Sequence, residues 1–148
     1  MLVREVMTES VVTADPHSTV REIAQLMRDG GVGSVVLVDG GRPVGFITDR
    51  DLAMSVLAEG RDAADHVSDH ASTPVITADP EMDVDEAAHV MIRQGVRRLV
   101  VVEASFLVGV VTLDDLAARL TDADLSARLS ARITRAAMPD YDARVRVN

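Results

Sequence analysis

Apolar residues recur along this chain at two spacings, and both spacings occur twice. Val20, Ala24 and Met27 lie three to four residues apart, which predicts one apolar face of a helix. Val36 and Val38 alternate with other residues, as is typical of a strand. The same arrangement returns 64 residues further along the chain. The pattern therefore predicts a mixed α/β protein with an internal repeat.

The two stretches are copies of one unit. Residues 11–52 align with residues 75–116 without a gap, and 18 of the 42 aligned positions are identical. Gly31 and Gly95 stand at equivalent positions, where each predicted helix should stop. So many identities at one fixed offset indicate a true tandem repeat rather than a chance similarity of composition.

Each copy predicts the order strand, helix, strand, strand, helix. Polar turns at residues 39–42 and 103–105 separate the adjacent strands, which indicates a hairpin in each copy. A unit of about 50 residues buries too little surface to be secure alone, so the copies should pack together. We expect an α/β fold of tandem βαββα repeats, packed sheet to sheet with pseudo-twofold symmetry. The repeats would span residues 1–60 and 61–120, followed by a C-terminal helix and tail over residues 121–148.

Composition narrows the classes of function. The formal net charge is −9 at pH 7, and such a surface repels nucleic-acid backbones and anionic lipids, so we expect neither as a partner. Aromatic residues make up only 2% of the chain, which argues against a base-stacking platform. The chain has no Cys, which excludes disulfides and thiolate metal sites. Since neither a signal-peptide pattern nor a membrane-spanning run is present, we expect a cytoplasmic protein.

The end of the last strand in each copy carries the candidate chemistry. Thr48 stands three residues before Asp51, and Thr112 stands three residues before Asp115. A carboxylate at a helix start can accept hydrogen bonds from both hydroxyls of a ribose, and a Thr hydroxyl with backbone amides can meet phosphate. Thr-x-x-Asp is also related to the ordinary capping box. Its duplication within the repeat favours nucleotide binding.

With these motifs the chain resembles a pair of cystathionine-beta-synthase (CBS) domains, or Bateman module, in the style of small stand-alone bacterial CBS proteins. The resemblance rests on a leading helix at residues 3–8, two Val-x-Thr-Ala-Asp-Pro turns and two Gly-x-x-Thr-x-x-Asp segments. It implies a non-catalytic regulatory protein whose ligand is AMP, ADP or ATP, with S-adenosylmethionine or NAD as further ligand classes. No cofactor would be required. The resemblance also implies a homodimer and an unidentified regulated protein.

The resemblance further implies two clefts, each built from both repeats. The first cleft would use Thr48 and Asp51 together with Thr77, Arg97 and Arg98. The second cleft would use Thr112 and Asp115 together with Thr13, Gly33, Ser34 and Arg50.

Charge makes the two predicted clefts unequal. Arg97 and Arg98 carry guanidinium groups, which can grip a phosphate with two parallel hydrogen bonds. Gly33 and Ser34, at the equivalent positions of the other repeat, carry no charge. Against this, Asp114 stands where a basic residue would assist the first cleft, and Arg50 could serve the second. We expect the cleft of Asp51 to be the better nucleotide site. The alternative is that the two arginines only solvate the start of a strand or pair with acidic residues.

Other functions leave weaker traces in the sequence. His66 and His70 lie four residues apart and would share one face of a helix, where with Asp69 they could bind zinc or nickel; a solvated linker helix is the alternative. A structural or stress-response interaction protein with empty clefts is the alternative from another class. The chain has neither a nucleophile elbow nor the pattern of a catalytic triad, so we expect no enzyme.

The tail beyond the repeats predicts one more helix. Residues 121–124 have the signature of a helix start, and Pro139 should end the helix. Leu125, Leu129 and Ile133 form an apolar stripe at helical spacing. The stripe would either pack back on its own module or contact a second copy or a partner.

Overall fold

The computed structural model describes residues 1–120 and 122–137. It confirms the α/β fold with tandem βαββα repeats and the additional helix after them. The strands and helices are β1 (Thr13–Ala14), α1 (Val20–Gly30), β2 (Ser34–Asp39), β3 (Arg42–Thr48), α2 (Asp49–Asp51), β4 (Thr77–Ala78), α3 (Val84–Gln94), β5 (Arg98–Glu103), β6 (Phe106–Thr112), α4 (Leu113–Ala117) and α5 (Ala123–Ala137).

The strands form two sheets of three strands, in the orders β1-β2-β3 and β4-β5-β6. In both sheets the short first strand runs parallel to the second, since the helix between them carries the chain back across the sheet. Thr13 pairs with Val36 in one sheet, and Thr77 pairs with Val100 in the other. The first two strands of each sheet therefore pair in the same register at equivalent residues of the repeat.

Local sequence determines where the long helices begin and end. The Thr19 side chain accepts a hydrogen bond from the Glu22 backbone, and Glu22 bonds back to the Thr19 N–H, which forms a capping box at the start of α1. The helices α1 and α3 are followed by Gly31 and Gly95, whose φ angles of 61° and 67° are left-handed. Glycine adopts this conformation without a steric penalty, so the predicted stops are confirmed.

Irregular helical turns fill the remaining connections. The α2 helix is a single turn that continues as a π-helix over Leu52–Leu57. The leading helix expected over residues 3–8 is shorter than expected, because only Val3–Glu5 form a 3-10 turn. Thr8 instead forms an antiparallel bridge with Val110, which requires an extended backbone.

The chain divides into two compact units that do not follow the order of the sequence. The first-repeat unit comprises Glu9–Val75 and Val102–Gly109. The second-repeat unit comprises Met1–Thr8, Ile76–Val101 and the chain from Val110 onward. The leading segment of the chain therefore belongs to the unit of the second repeat, and the segment between the repeats belongs to the unit of the first. The boundaries predicted at residues 60 and 120 stay a prediction about the sequence repeats.

These two lead-in segments make equivalent contacts within their units. The Val3 N–H donates to the carbonyl of Met82 at 2.8 Å, and the Val67 N–H donates to the carbonyl of Ser18 at 2.8 Å. Both valine side chains are fully buried, with 0% exposure. Each lead-in segment therefore adds an apolar side chain to the core of the unit it joins.

The core of the first-repeat unit lies between α1 and its sheet. Ile23 and Met27 on the helix pack with strand residues and with Val67. The buried strand residues in this cluster are Val35, Leu37 and Ile47. Because Val67 comes from outside the βαββα unit, the segment between the repeats is part of this core.

The second-repeat unit includes the C-terminal helix. The α5 helix packs against α3 and α4, and its Leu125 and Leu129 side chains are buried. Asp122 caps the helix, since its Oδ1 accepts hydrogen bonds from the backbone N–H groups of Asp124 and Leu125. The described part of the apolar stripe therefore packs back on its own module. The expectations for Thr121, for the Ile133 side chain and for Pro139 lie outside the described residues.

No helix among the described residues is both long and apolar enough to cross a membrane.

The hairpin turns of the two repeats share a conformation but not a sequence. Gly40 and Gly41 have φ angles of 58° and 79°, and the equivalent Ala104 and Ser105 have 49° and 72°. Two successive left-handed residues are the hallmark of a type I′ hairpin. Glycine adopts them freely, whereas a residue with a Cβ is strained there. The second repeat therefore carries a turn that its sequence does not favour.

We expect Ala104→Gly to raise the free energy of unfolding by about 0.5–1 kcal/mol, because relief of the left-handed strain exceeds the added entropy of the unfolded chain. The reciprocal Gly40→Ala should lower it by a similar amount, since a Cβ at Gly40 meets open space and only backbone strain changes. Urea unfolding of both variants and the wild type measures the two shifts. If both variants shift the free energy of unfolding in the same direction, left-handed backbone strain does not explain the difference between the two turns.

Candidate functional site

Thr48 and Asp51 form a reciprocal pair at the start of α2. The Thr48 N–H donates to Asp51 Oδ2 at 2.9 Å, and the Asp51 N–H donates to Thr48 Oγ1 at 3.1 Å. This is a capping box, with an aspartate in place of the usual glutamate. Both residues are half-buried. The carboxylate is therefore held in one orientation before any ligand arrives.

Thr112 and Asp115 repeat this geometry at the start of α4. The Thr112 N–H donates to Asp115 Oδ2 at 2.8 Å, and the Asp115 N–H donates to Thr112 Oγ1 at 3.3 Å. The Thr112 hydroxyl also donates to Asp115 Oδ2 at 2.8 Å. Both predicted Thr-x-x-Asp segments are thus capping boxes.

Capping uses only part of each carboxylate. In both turns the bonds from threonine reach Oδ2, and among the described residues Oδ1 of Asp51 and of Asp115 accepts no hydrogen bond. A carboxylate offers about four lone-pair positions. Each half-buried aspartate can therefore cap its helix and still accept hydroxyl donors, such as those of a ribose.

Each capping box is attached to the start of the neighbouring strand. The Asp49 N–H donates to the carbonyl of Gly33 at 2.9 Å, and the Leu113 N–H donates to the carbonyl of Arg97 at 2.9 Å. Ser34 pairs with Thr48 in the sheet of the first-repeat unit. Each unit thus gathers its own Thr-x-x-Asp turn and the start of its own β2 or β5 at one end of its sheet.

The predicted site residues are divided between the two units. The first-repeat unit holds Thr13, Gly33, Ser34, Thr48, Arg50 and Asp51, and the second-repeat unit holds Thr77, Arg97, Arg98, Thr112 and Asp115. Grouping each turn with residues of the other repeat stays a prediction from the family resemblance.

Exposure differs among the predicted basic residues. Arg50 and Arg97 are exposed, and Arg98 is half-buried. Exposed guanidinium groups are accessible to a phosphate.

One charged residue beside the Thr48 turn was missed from the sequence. A Cβ on Gly33 would lie 3.2 Å from Asp49 Oδ2, so the Asp49 carboxylate lies directly against this glycine. The equivalent position in the second repeat is the buried Leu113. The only indication in the sequence was that the acidic Asp49 of the first repeat aligns with the apolar Leu113 of the second. The start of β2 therefore carries a negative charge where the start of β5 carries two arginines.

The histidines predicted to share a face do not do so. His66 and His70 flank a 3-10 turn, Val67–Asp69. Such a turn has 3.0 residues per turn, so positions four apart point about 120° from each other. The His66 ring meets the His17 ring edge to face, with centroids 5.5 Å apart, whereas His70 points into the protein. Among the described residues, no three His, Cys, Asp or Glu side chains form a group that could hold a metal ion.

His70 instead forms the centre of a chain of hydrogen bonds. Its Nδ1 lies 2.7 Å from Ser55 Oγ, and its Nε2 lies 3.0 Å from Asp65 Oδ2. Arg61 pairs with the same carboxylate oxygen at 3.2 Å. The His70 side chain is only 2% exposed. No spacing motif connects these residues, so sequence reasoning could not have found the network.

The network changes the acidity of Asp65. The hydrogen bond from His70 holds the pKa of the Asp65 carboxyl below its ordinary value, with a smaller contribution from the positive charge of Arg61, while burial acts in the opposite direction. A carboxyl whose pKa is lowered by folding stabilises the folded state above its unfolded-state pKa, about 4. That stabilisation is lost as the pH falls through the folded-state value.

We expect Asp65→Asn to lower the free energy of unfolding at pH 6, and the difference from wild type to shrink as the pH falls below about 4, because Asp65 then becomes protonated. Urea unfolding of both proteins from pH 2.5 to 6 measures this difference. Asp62→Asn is the matched control, because Asp62 is exposed in the same segment. A difference as large at pH 2.5 as at pH 6 would contradict the assignment.

Comparison with known proteins identifies the family. The model of the CBS domain matches residues 3–58 and 67–122. The CBS domain-containing protein YhcV of Bacillus subtilis is 39% identical over 115 residues, which cover 78% of this chain and 82% of YhcV. This chain belongs to the CBS-domain family, as a pair of such domains.

Solved structures share the fold. The CBS domain protein PAE2072 from Pyrobaculum aerophilum, complexed with AMP, has a TM-score of 0.73 at 27% identity, with 88% of this chain and 99% of that chain covered. A structure of Hypoxic Response Protein I with two coordinated zinc ions has a TM-score of 0.72 at 31% identity, with 81% and 99% covered. Hypoxic response protein 1 of Mycobacterium tuberculosis is 31% identical over 121 residues, which cover 80% of this chain and 85% of that protein.

Proposed function

We propose that this protein is a non-catalytic regulatory module that binds an adenine nucleotide at its Thr-x-x-Asp turns and signals occupancy to a partner protein. The observation that carries the proposal is the pair of capping boxes, each presenting a half-buried carboxylate with one oxygen unused among the described residues. Helix capping alone does not require a second copy of the turn. It also does not require a carboxylate oxygen that remains available to accept hydrogen bonds.

The turns have the chemistry that a nucleoside needs. An acidic residue that accepts hydrogen bonds from ribose hydroxyls is a recurring device in nucleotide-binding folds. Here the carboxylate is already oriented by threonine, so little side-chain entropy remains to be lost on binding. The AMP complex of PAE2072, a relative of the same fold, supports an adenine nucleotide as the ligand class.

Charge supports the ranking of the two turns. The first predicted cleft combines Asp51 with Arg97 and Arg98, whose guanidinium groups suit a phosphate. The second combines Asp115 with the start of β2, where Asp49 lies against Gly33. The Asp49 carboxylate repels a phosphate and offsets the single positive charge that Arg50 would add to this cleft. We therefore assign the stronger binding of AMP, ADP or ATP to the Asp51 turn.

Signalling follows from differential binding. A ligand shifts a conformational equilibrium only as far as it binds one state better than the other. We propose that the protein acts as a homodimer and that nucleotide occupancy favours the arrangement that a partner recognises.

We expect Asp51→Asn to weaken AMP binding by roughly tenfold or more, because a neutral amide loses the charge-assisted bonds to ribose. Asparagine keeps an oxygen that can accept the Thr48 N–H, so the cap persists. Arg97→Ala/Arg98→Ala should weaken ATP binding more than adenosine binding. Isothermal calorimetry with AMP, ATP and adenosine measures these changes.

Two substitutions complete this experiment. Asp115→Asn should reduce AMP affinity less than Asp51→Asn, and Asp39→Asn, which alters an exposed aspartate at the end of β2, serves as the matched control. If Asp115→Asn abolishes binding while Asp51→Asn does not, the ranking of the turns is reversed.

A thermal-shift series tests whether the protein senses nucleotides at all. A ligand that binds the folded state must raise the melting temperature by mass action. AMP, ADP, ATP, S-adenosylmethionine and NAD, each at millimolar concentration, form the series. If none of the five shifts the melting temperature, the proposed function is wrong and a structural interaction protein takes its place.

A further inference from the structure

A buried histidine contacts the helical segment that follows Asp51. Among the described residues, His70 is the only polar or charged residue that is buried, and its side chain is 2% exposed. An ionised Asp65 only accepts, so His70 Nε2–H donates to it. In the neutral ring, Nδ1 is then the acceptor, so the Ser55 hydroxyl donates a hydrogen bond to it. Both ring nitrogens are therefore used.

Ser55 lies on the helical segment that follows the proposed binding turn. The single turn of α2 ends at Asp51, and the π-helix Leu52–Leu57 continues it. A π-helical bond runs from the Ala58 N–H to the carbonyl of Ala53 at 2.9 Å. After the left-handed Gly60, the Arg61 N–H closes the end of the segment on the carbonyl of Val56, also at 2.9 Å. Ser55 is four residues beyond Asp51, about one helical turn away.

A π-helix is rare and is seldom stable by itself. Its wider turn needs contacts from outside to hold it. The Ser55–His70 bond supplies such a contact from the segment between the repeats, which is itself fixed by the burial of Val67.

We propose that His70 is a positioning residue for the Thr48–Asp51 turn: through Ser55 it holds the π-helix, and so the capped Asp51 carboxylate, in the geometry that binds nucleotide. This inference rests on the proposed function. Under this inference, the segment between the repeats, which carries His70, regulates the affinity of the Thr48–Asp51 turn for nucleotide.

The charged groups at His70 are few. Asp65 contacts Nε2, and Arg61 contacts Asp65 from the same segment. From the π-helix, the contact is the uncharged Ser55 hydroxyl. Substitution of Ser55 therefore breaks the link to the helix without removing a charge.

Ser55→Ala and His70→Gln are the informative variants. Hydrogen exchange read by NMR should show the amides of Asp51, Ala58 and Arg61 exchanging roughly tenfold faster in both, because a buried hydrogen bond is lost. Ser55→Thr retains the hydroxyl and should restore slow exchange. Ser68→Ala and His89→Gln alter exposed residues of the same types and serve as controls.

Calorimetry then tests the connection to the ligand. We expect Ser55→Ala to weaken AMP binding severalfold in the wild type, and to have no further effect in the Asp51→Asn background, because both changes act on one turn. Ser55→Thr should bind AMP as the wild type does.

The outcomes separate this inference from the proposed function. If Ser55→Ala leaves the three amides unchanged, or weakens AMP binding equally with and without Asp51, the positioning role is wrong. If the wild type binds no AMP, the proposed function fails and the coupling to affinity fails with it, while the exchange rates still decide whether His70 braces the turn. If Ser55→Ala does not fold, faster exchange in His70→Gln alone supports the brace, and unchanged exchange overturns it.

Discussion

Val67 lies outside the first βαββα repeat, but its side chain is part of the core of the unit built around that repeat. It lies after the first βαββα repeat, yet it is fully buried with Ile23 and Leu37 of that repeat. A sheet of three short strands with one long helix has little apolar surface to bury. The first-repeat unit is therefore completed by the segment between the repeats, and the second-repeat unit is completed in the same way by the leading segment around Val3.

This exchange of lead-in segments determines what surrounds the candidate binding turn. The backbone bond from Val67 to Ser18 fixes the segment that also carries Asp65 and His70. His70 then reaches Ser55, one turn after Asp51. Packing that completes the core thus also brings a titratable network to the helix of the proposed site. The same short segment therefore contributes to the core and carries the residues of the proposed positioning network.

The two repeats show how far duplicated sequence can diverge on one backbone. The type I′ turn is kept in both hairpins, although glycines occupy it in one and Ala104 and Ser105 in the other. The capping boxes are kept with nearly the same bond lengths. The charges beside them are not kept, since Asp49 is replaced by Leu113. Conserved geometry with divergent charge is what two sites of unequal affinity require.

The order of elements, the helix stops at Gly31 and Gly95 and the Thr-x-x-Asp caps could all be predicted from the sequence, because each depends on residues within a few positions of one another. The role of His70, the contact of Asp49 with Gly33 and the exchange of lead-in segments could not be predicted. The residues that meet in these features are separated in the sequence by at least one whole helix or strand, or they lie in segments without a periodic pattern of apolar residues. The helical spacing assumed for His66 and His70 was wrong, because that segment forms a 3-10 turn with Val67 buried, and no local pattern in the sequence indicated this turn.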